Sequence, residues 1–138
     1  ERREEMALKD IIDTFEKALL RLEESYLKAR SDEGGDDFFF FRDSTIQRFE
    51  FTVEIFWKTV KVFLKEIEGI DCKTPKSCIR EFFSAGYVDE DTTYNLIEMI
   101  DYRNLASHTY REEIANEIFS RMNGFIDILK QVLSMLKT

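Results

Sequence analysis

Residues 44–69 read STIQRFEFTVEIFWKTVKVFLKEIEG, and this stretch decides the fold. Its apolar residues alternate at three- and four-residue intervals: Ile46, Phe49, Val53, Phe56, Val60, Phe63 and Ile67. Such spacing predicts one long amphipathic helix whose apolar stripe packs within a helical bundle. Ser44 and Gln47 have the spacing of a capping box, so we expect the helix to begin there, and Gly69 is the residue expected to end it.

The sequence before this helix predicts a second long helix and a loop. Apolar residues recur at helical spacing from Leu8 to Tyr26, which predicts a helix over about residues 5–29. The acidic, glycine-containing segment that follows predicts a flexible loop over residues 30–42. Four consecutive phenylalanines, Phe38–Phe41, lie in that loop and either pack beneath it or form an oligomer contact.

Capping signals divide the rest of the chain into three further helices. Thr74-Pro75 begins a short one, with proline at the first helical position, and Asp89 caps a fourth helix. Thr109 and Glu112 have the spacing of another capping box, which starts a long last helix. Because short connections favour antiparallel neighbours, we predict a single all-α domain spanning residues 1–138. Its architecture is an up-and-down antiparallel bundle of three long helices and two shorter ones.

Composition and charge narrow the function classes. The longest apolar run is only four residues and the first residues, Glu1-Arg2-Arg3-Glu4-Glu5, lack a signal-peptide core, so we expect a cytoplasmic protein with no membrane contact. A formal charge of −8 argues against sequence-independent nucleic-acid binding, which depends on an excess of Lys and Arg. We therefore expect no DNA partner, and any RNA contact must be confined to one groove.

The two cysteines do not form a recognisable site. Cys72 and Cys78 are separated by five residues, with no histidine or further cysteine nearby. Neither a zinc site nor a redox CxxC pair has this spacing. We expect reduced thiols and predict no metal and no cofactor.

The candidate site is RNLASHTY, residues 103–110, which contains the only histidine of the chain. Imidazole exchanges protons near neutral pH, and guanidinium binds phosphate through two parallel hydrogen bonds. Residues five apart on an unbroken helix point about 140° away from each other, so Arg103 and His108 share a site only if the helix ends between them. The Thr109 capping box predicts that it does.

This placement favours phosphate chemistry. His108 would then precede the last helix and Tyr110 would lie in its first turn, where free N–H groups and the helix dipole favour an anion. Metal-free RNA cleavage needs a base, an acid and positive charge on the phosphorane. Because one histidine fills one role at a time, a nuclease of this sequence would have to be a homodimer with two copies of His108 and Arg103 at one cleft.

Two blocks of sequence resemble a known family. Arg103 and Asn104, followed by three residues and then His108, Thr109 and Tyr110, resemble the arginine, four residues, histidine, any residue, tyrosine motif of the HEPN superfamily. Residues 42–58 and 101–110 are similar to its HepT-like branch, which is also described as the nucleotidyltransferase substrate-binding protein family. The resemblance covers about residues 6–137 and implies a HEPN-like helical bundle.

The resemblance also implies an activity. It suggests a metal-independent endoribonuclease, the toxin of a toxin–antitoxin pair, that cleaves RNA as a homodimer with Arg103 and His108 as catalytic residues and Asn104 supporting them. The implied partner is a minimal nucleotidyltransferase antitoxin, encoded beside it, that transfers AMP from ATP to Tyr110. A nucleotide attached there would place its phosphate against Arg103 and silence the nuclease.

Two other hypotheses fit the same residues. In the first, the chain is a noncatalytic subunit that docks a nucleotidyltransferase and positions its substrate, and Arg103 and His108 serve recognition. In the second, His108 and Tyr110 only brace the last helix of an interaction bundle without chemistry.

Overall fold

The computed structural model describes residues 2–108 and 111–138, with side chains from residue 7 onward. Five α-helices follow one another along the chain: α1 (Arg2–Ser31), α2 (Phe38–Phe63), α3 (Pro75–Ser84), α4 (Glu90–His108) and α5 (Glu112–Leu136). The described residues contain no strand. The predicted all-α bundle of three long and two shorter helices is confirmed.

One core connects the three long helices. The fully buried aromatic residues Phe15 of α1, Phe49 and Phe56 of α2, and Phe125 of α5 lie at its centre. The ring centroids of Phe15 and Phe56 are 5.5 Å apart, and those of Phe49 and Phe125 are 5.8 Å apart. Burying one such side chain stabilises a fold by about 1.5–3 kcal/mol, so these contacts fix how α2 lies between α1 and α5.

The apolar stripe of α2 therefore faces the core as predicted, whereas Ile67, which lies beyond the end of α2, is exposed. None of the described helices has both the length and the apolar character that a membrane span requires.

The beginning of α2 corrects two predictions. The helix begins at Phe38, so the predicted capping box at Ser44 is wrong and residues 38–42 are helical rather than part of a loop. The Thr45 hydroxyl donates backward to the Phe41 carbonyl at 2.8 Å, a bond that serine and threonine form inside helices. Because residues 38–43 contain no proline or glycine, nothing in them interrupts the helix before Ser44.

The connection between α1 and α2 is a short turn rather than the predicted loop. The Asp37 backbone N–H donates to the Asp32 carboxylate at 3.2 Å, and the Gly35 N–H donates to the Asp32 carbonyl at 2.8 Å. Gly34 has φ 80°, a conformation that favours glycine. These bonds close the turn within residues 32–37.

The four phenylalanines form the first turn of α2, and their side chains point in different directions. The Phe38 ring packs edge-on against Phe119 of α5, with 5.5 Å between centroids. The Phe39 ring lies beneath the Arg42 guanidinium but is still 58% exposed, and Phe40 is 74% exposed. Helical geometry separates them, because adjacent side chains point about 100° apart.

The helix-ending glycine and the helix caps predicted after the start of α2 are confirmed. A π-helical turn, Leu64–Glu68, extends α2, and Gly69 ends it with φ 70° in the left-handed region. Thr74 caps α3 through reciprocal side-chain bonds with Ser77. The Asp89 carboxylate accepts a backbone N–H of the first turn of α4 at 2.7 Å. These caps satisfy backbone donors that would otherwise lack partners.

The two cysteines form a disulfide, so the prediction of reduced thiols is wrong. Cys72 and Cys78 are both buried, and their sulfur atoms are bonded. The connection after Gly69 returns toward the first turn of α3, which brings the two Cα atoms to 5.2 Å, within the range of disulfides. The bridge ties the beginning of α3 to the end of the preceding connection.

Candidate functional site

The sequence predicted a helix break between Arg103 and His108, and this prediction is wrong. Helix α4 continues through His108, and the Ser107 hydroxyl donates to the Arg103 carbonyl at 3.1 Å. Residues 104–107 contain no glycine or proline, so nothing in them ends the helix. Both candidate residues therefore lie on the same helix.

The predicted start of the last helix also changes. Helix α5 begins at Glu112 with Arg111 as its N-cap residue, in extended conformation and without a side-chain cap. The capping box required Glu112 at the third helical position, and it lies at the first. The predicted cap at Thr109 and the predicted modification site at Tyr110 lie outside the described residues.

Arg103 points from α4 toward α2. Its Nη2 donates to Oε1 of Glu54 at 2.8 Å, and Nη1 lies 3.4 Å from Oδ1 of the neighbouring Asn104. The side chain is 28% exposed. Its Nε is buried and has no hydrogen-bond partner among the described residues. One edge of the guanidinium is thus held by a carboxylate, and its buried Nε–H lacks a partner among the described residues.

Glu54 is the centre of a small polar cluster. Its Oε1 also accepts from the indole Nε1 of Trp57 at 3.1 Å, and its Oε2 lies 3.2 Å from Nζ of Lys58. Burial raises the pKa of Glu54, but the bonds from Trp57 and Lys58 and the charge of Arg103 outweigh burial and lower the pKa below its ordinary value. Glu54 is therefore a carboxylate at neutral pH and neutralises Arg103.

His108 lies apart from this cluster. It is exposed in the last turn of α4, and the five-residue separation turns it about 140° away from Arg103 on the helix surface. Asn104 is also exposed and contacts Arg103 only through the long bond. A single chain does not bring Arg103 and His108 to one small site.

A cavity of about 180 Å³ lies between α2, α4 and the beginning of α5. Its walls are Asp43, Ile46, Gln47 and Glu50 of α2, Ala106 of α4, and Arg111, Ile114, Ala115 and Ile118. Burial raises the pKa of Glu50, and the positive charge of Arg103 offsets part of that shift. The surroundings of Arg103 are thus acidic on the α2 side.

Sequence reasoning missed the buried guanidinium of Arg42, which lies near the beginning of α5. Arg42 has no exposed surface and donates to both carboxylate oxygens of Glu112, at 2.7 and 3.1 Å. It also donates to Asp43 at 2.9 and 3.1 Å and to Asn116 at 2.9 Å. The side-chain bond from Arg42 lowers the pKa of Glu112 despite its partial desolvation.

No feature of the sequence pairs Arg42 with Glu112, because 69 residues lie between them in the chain. The pairing joins α2 to the first residue of α5.

Comparison with known proteins identifies the family. The sequence profile of a family described as "Nucleotidyltransferase substrate binding protein like" matches residues 10–138. The chain belongs to this family. The fold of this nucleotidyltransferase substrate-binding-like protein is also found in a solved structure.

That structure, a crystal structure of a protein from Thermus thermophilus, is similar over 90% of this chain and 99% of that chain, with 35% sequence identity and a TM-score of 0.80. No curated protein sequence has a significant match to the chain.

In this nucleotidyltransferase substrate-binding-like protein, the described site combines one guanidinium with nearby carboxylates. Arg103 offers a guanidinium that is oriented by Glu54 and Asn104, next to a cavity with an apolar floor and two carboxylates. The carboxylates of Glu50 and Glu54 lie near Arg103, whereas His108 lies on another side of α4.

Proposed function

We propose that the chain is a noncatalytic substrate-binding or regulatory subunit of a nucleotidyltransferase complex. The observation that carries the proposal is the ion pair between Arg103 and Glu54, 2.8 Å long, with His108 on a different side of the helix. A phosphate approaching Arg103 would meet a guanidinium already neutralised by Glu54. Family membership supports a nucleotidyltransferase as the partner.

The electrostatics around Arg103 support a protein contact over an RNA contact. Glu50 and Glu54 of α2 both lie within range of its charge, and Asp43 lines the adjoining cavity. Carboxylates near a binding surface repel phosphate groups and attract basic side chains of a protein partner. The net charge of −8 acts in the same direction.

Association with the partner tests the proposal. The full chain and the nucleotidyltransferase encoded beside it should elute together, with a light-scattering mass equal to the sum of whole protomers. Glu50→Gln should weaken association by about tenfold, because it removes one of the carboxylates that would attract a basic side chain of the partner. Glu81→Gln, an equal charge change on the exposed face of α3, should leave it unchanged.

Separate elution of the two proteins at micromolar concentration would contradict the proposal.

A metal-independent endoribonuclease toxin is the second candidate, and two observations favour it. The buried Nε of Arg103 has no partner among the described residues, and His108 is exposed at the end of α4. The toxin requires a twofold arrangement of two copies in which a histidine of one copy lies near the arginine of the other. Such a homodimer would have both groups at one cleft, with Asn104 beside them.

The AMP modification of Tyr110 belongs to this second candidate. The partner enzyme would transfer AMP from ATP to the tyrosine hydroxyl with release of pyrophosphate, and the added phosphate would block the cleft. Mass spectrometry after incubation with partner and ATP should show one AMP on the peptide that contains Tyr110. A Tyr110→Phe chain that is still modified on that peptide would contradict the assignment.

A further inference from the structure

A second cavity lies between α1 and α2 and shares only Gln47 with the cavity beside Glu50. Its volume is about 420 Å³, more than twice that of the cavity beside Glu50. Its walls are Thr14, Lys17, Ala18 and Arg21 of α1, and Gln47, Arg48, Phe51 and Thr52 of α2. We call it the α1–α2 groove.

The charge of the α1–α2 groove is opposite to that of the chain. Three of its eight lining residues, Lys17, Arg21 and Arg48, are cations and none is a carboxylate, although acidic residues outnumber basic ones by 28 to 20 in the sequence. Lys17 and Arg21 are four residues apart and project from the same face of α1. The groove therefore concentrates positive charge on an acidic protein.

These cations are available to a ligand. The Arg21 guanidinium makes no hydrogen bond or ion pair within the described part of the chain. Arg48 donates from Nη1 to the Arg21 carbonyl at 3.1 Å, which orients its guanidinium and leaves its other donors free for a ligand. Lys17 pairs with Asp13 at 3.0 Å, but both side chains are more than half exposed, and such exposed pairs are weak.

The groove also contains an aromatic surface and an amide. Phe51 is 56% exposed, although it belongs to the helix that carries the core stripe. Gln47 supplies donors and acceptors near it, and the buried Thr52 hydroxyl is occupied by backbone carbonyls of Arg48 and Ala18. An exposed ring beside cations is the combination that binds a planar base joined to a phosphate.

We propose that the α1–α2 groove binds a mononucleotide. The phosphate would lie between Arg21, Arg48 and Lys17, the base would stack on Phe51, and Gln47 would contact the edge of the base. Guanidinium groups match phosphate geometry through paired hydrogen bonds, and a ring accepts any base. The volume of about 420 Å³ lies within the usual range for small-molecule sites.

Nucleotide binding in the groove would identify the substrate class that the proposed subunit holds. The inference rests on the proposed function only for the source of the nucleotide. The binding chemistry depends on the groove alone. Nucleotide binding to the isolated chain and association with a nucleotidyltransferase are therefore separate measurements, so that either can fail without the other.

Calorimetric titration of the full chain with AMP and with ATP tests the site. One nucleotide should bind per chain, and Arg21→Glu should weaken binding by about tenfold or more, since hydrogen bonds to charged groups contribute about 1.5–3 kcal/mol. Arg80→Glu makes the same charge change on an exposed part of α3 and should leave the affinity unchanged. Circular dichroism should show that both variants keep the helical content of the parent.

A second comparison separates the ring from the cations. Phe51→Ala should weaken ATP binding by about fivefold or more, because stacking contributes about 1–3 kcal/mol per base. It should not change the affinity for inorganic tripolyphosphate, which has no base. Equal weakening of both ligands would overturn the placement of the base.

Three results would overturn the proposal. The first is no nucleotide binding at millimolar concentration, and the second is equal weakening by Arg21→Glu and Arg80→Glu. The third is a sedimentation measurement in which the parent chain is a dimer and Arg21→Glu makes it a monomer, because the groove would then be covered by a second copy.

Discussion

The Arg103 guanidinium of α4 and the Trp57 indole of α2 donate to the same oxygen, Oε1 of Glu54, at 2.8 and 3.1 Å. Trp57 is the single tryptophan of the chain, so its fluorescence reports on the atom that holds Arg103. The arrangement orients Arg103 and at the same time neutralises it. The charge state of Glu54 and the binding of a ligand to Arg103 are therefore measurable from Trp57 fluorescence, without a label.

Glu54→Gln should weaken the contact that orients and neutralises Arg103. The amide keeps an acceptor for Trp57 but removes the negative charge that neutralises Arg103, so inorganic phosphate should bind more tightly and the Trp57 emission should shift. Stability should fall by about 1 kcal/mol, the usual net value of one hydrogen-bonded pair. Glu24→Gln, an exposed change on α1, is the control and should change neither quantity. Identical fluorescence and phosphate affinity in Glu54→Gln and the parent would contradict the role given to Glu54.

Arg42→Met should be among the most destabilising single changes outside the apolar core. The guanidinium is fully buried, and its loss removes five hydrogen bonds to Asp43, Glu112 and Asn116. Because both carboxylates are partly exposed and regain water, we expect a loss of about 2–3 kcal/mol rather than the larger cost of a stranded buried charge.

Urea unfolding of Arg42→Met measures this loss, with Arg80→Met as an exposed control that should differ by less than about 0.5 kcal/mol. A loss of less than about 0.5 kcal/mol for Arg42→Met would show that the hydrogen bonds of Arg42 do not stabilise the junction of α2 and α5.

Acid should weaken the junction between α2 and α5. The side-chain bond from Arg42 lowers the pKa of Glu112 below its ordinary value of 4.5, so its contribution is complete above that value and is lost as the pH falls through the lower folded-state pKa. Urea unfolding between pH 7 and pH 3 should show this loss. Glu112→Gln should remove part of the slope, and an unchanged slope would exclude Glu112 as a source.

Glu50 should affect the pH dependence of stability with a sign opposite to that of Glu112, which Glu50→Gln tests. Burial raises the pKa of Glu50, so the folded state takes up a proton more readily than the unfolded state and stability falls as the pH rises through this window. The amide should therefore raise the thermal midpoint at pH 7, and the difference should shrink toward pH 4, where Glu50 is protonated. A midpoint at pH 7 that is equal to or below that of the parent would show that the attraction of Arg103 outweighs the burial of Glu50.

Reduction of the disulfide should destabilise the α3 end of the bundle. Cys72 and Cys78 close a loop of only a few residues, for which the loss of chain entropy in the unfolded state corresponds to about 2 kcal/mol. Thermal unfolding with and without a reductant measures this difference, and Cys72→Ser with Cys78→Ser in one chain should reproduce the reduced value. Two free thiols in the unreduced, denatured protein would contradict the bond.

Local patterns in the sequence predicted most of the fold. The apolar spacing of α2, the left-handed Gly69 and the Thr74 and Asp89 caps are all interactions within a few residues, and each is present in the structure. The start of α2 could not be placed, because serine and threonine bond backward inside helices as readily as they cap them. The helix propensity of serine and threonine does not show whether the side chain caps a helix or bonds backward inside one.

The site was less predictable, because its contacts join distant parts of the chain. Arg103 meets Glu54 across 48 intervening residues and Arg42 meets Glu112 across 69, and nothing in their neighbours marks these pairs. The phenylalanine run suggested a single packed or exposed group, whereas helical geometry sends Phe38 to α5 and Phe40 to the surface. Such relationships follow from packing rather than from motifs.

Incubation of the purified chain with RNA in the presence of a chelator tests the noncatalytic role most directly. Because Arg103 is turned away from His108, we expect the RNA to remain intact at stoichiometric protein over hours, both in the parent, where Glu54 also neutralises Arg103, and in Glu54→Gln. Cleavage by the parent that is lost in Arg103→Ala and His108→Ala, but kept in Arg80→Ala, would contradict the noncatalytic role and establish the ribonuclease.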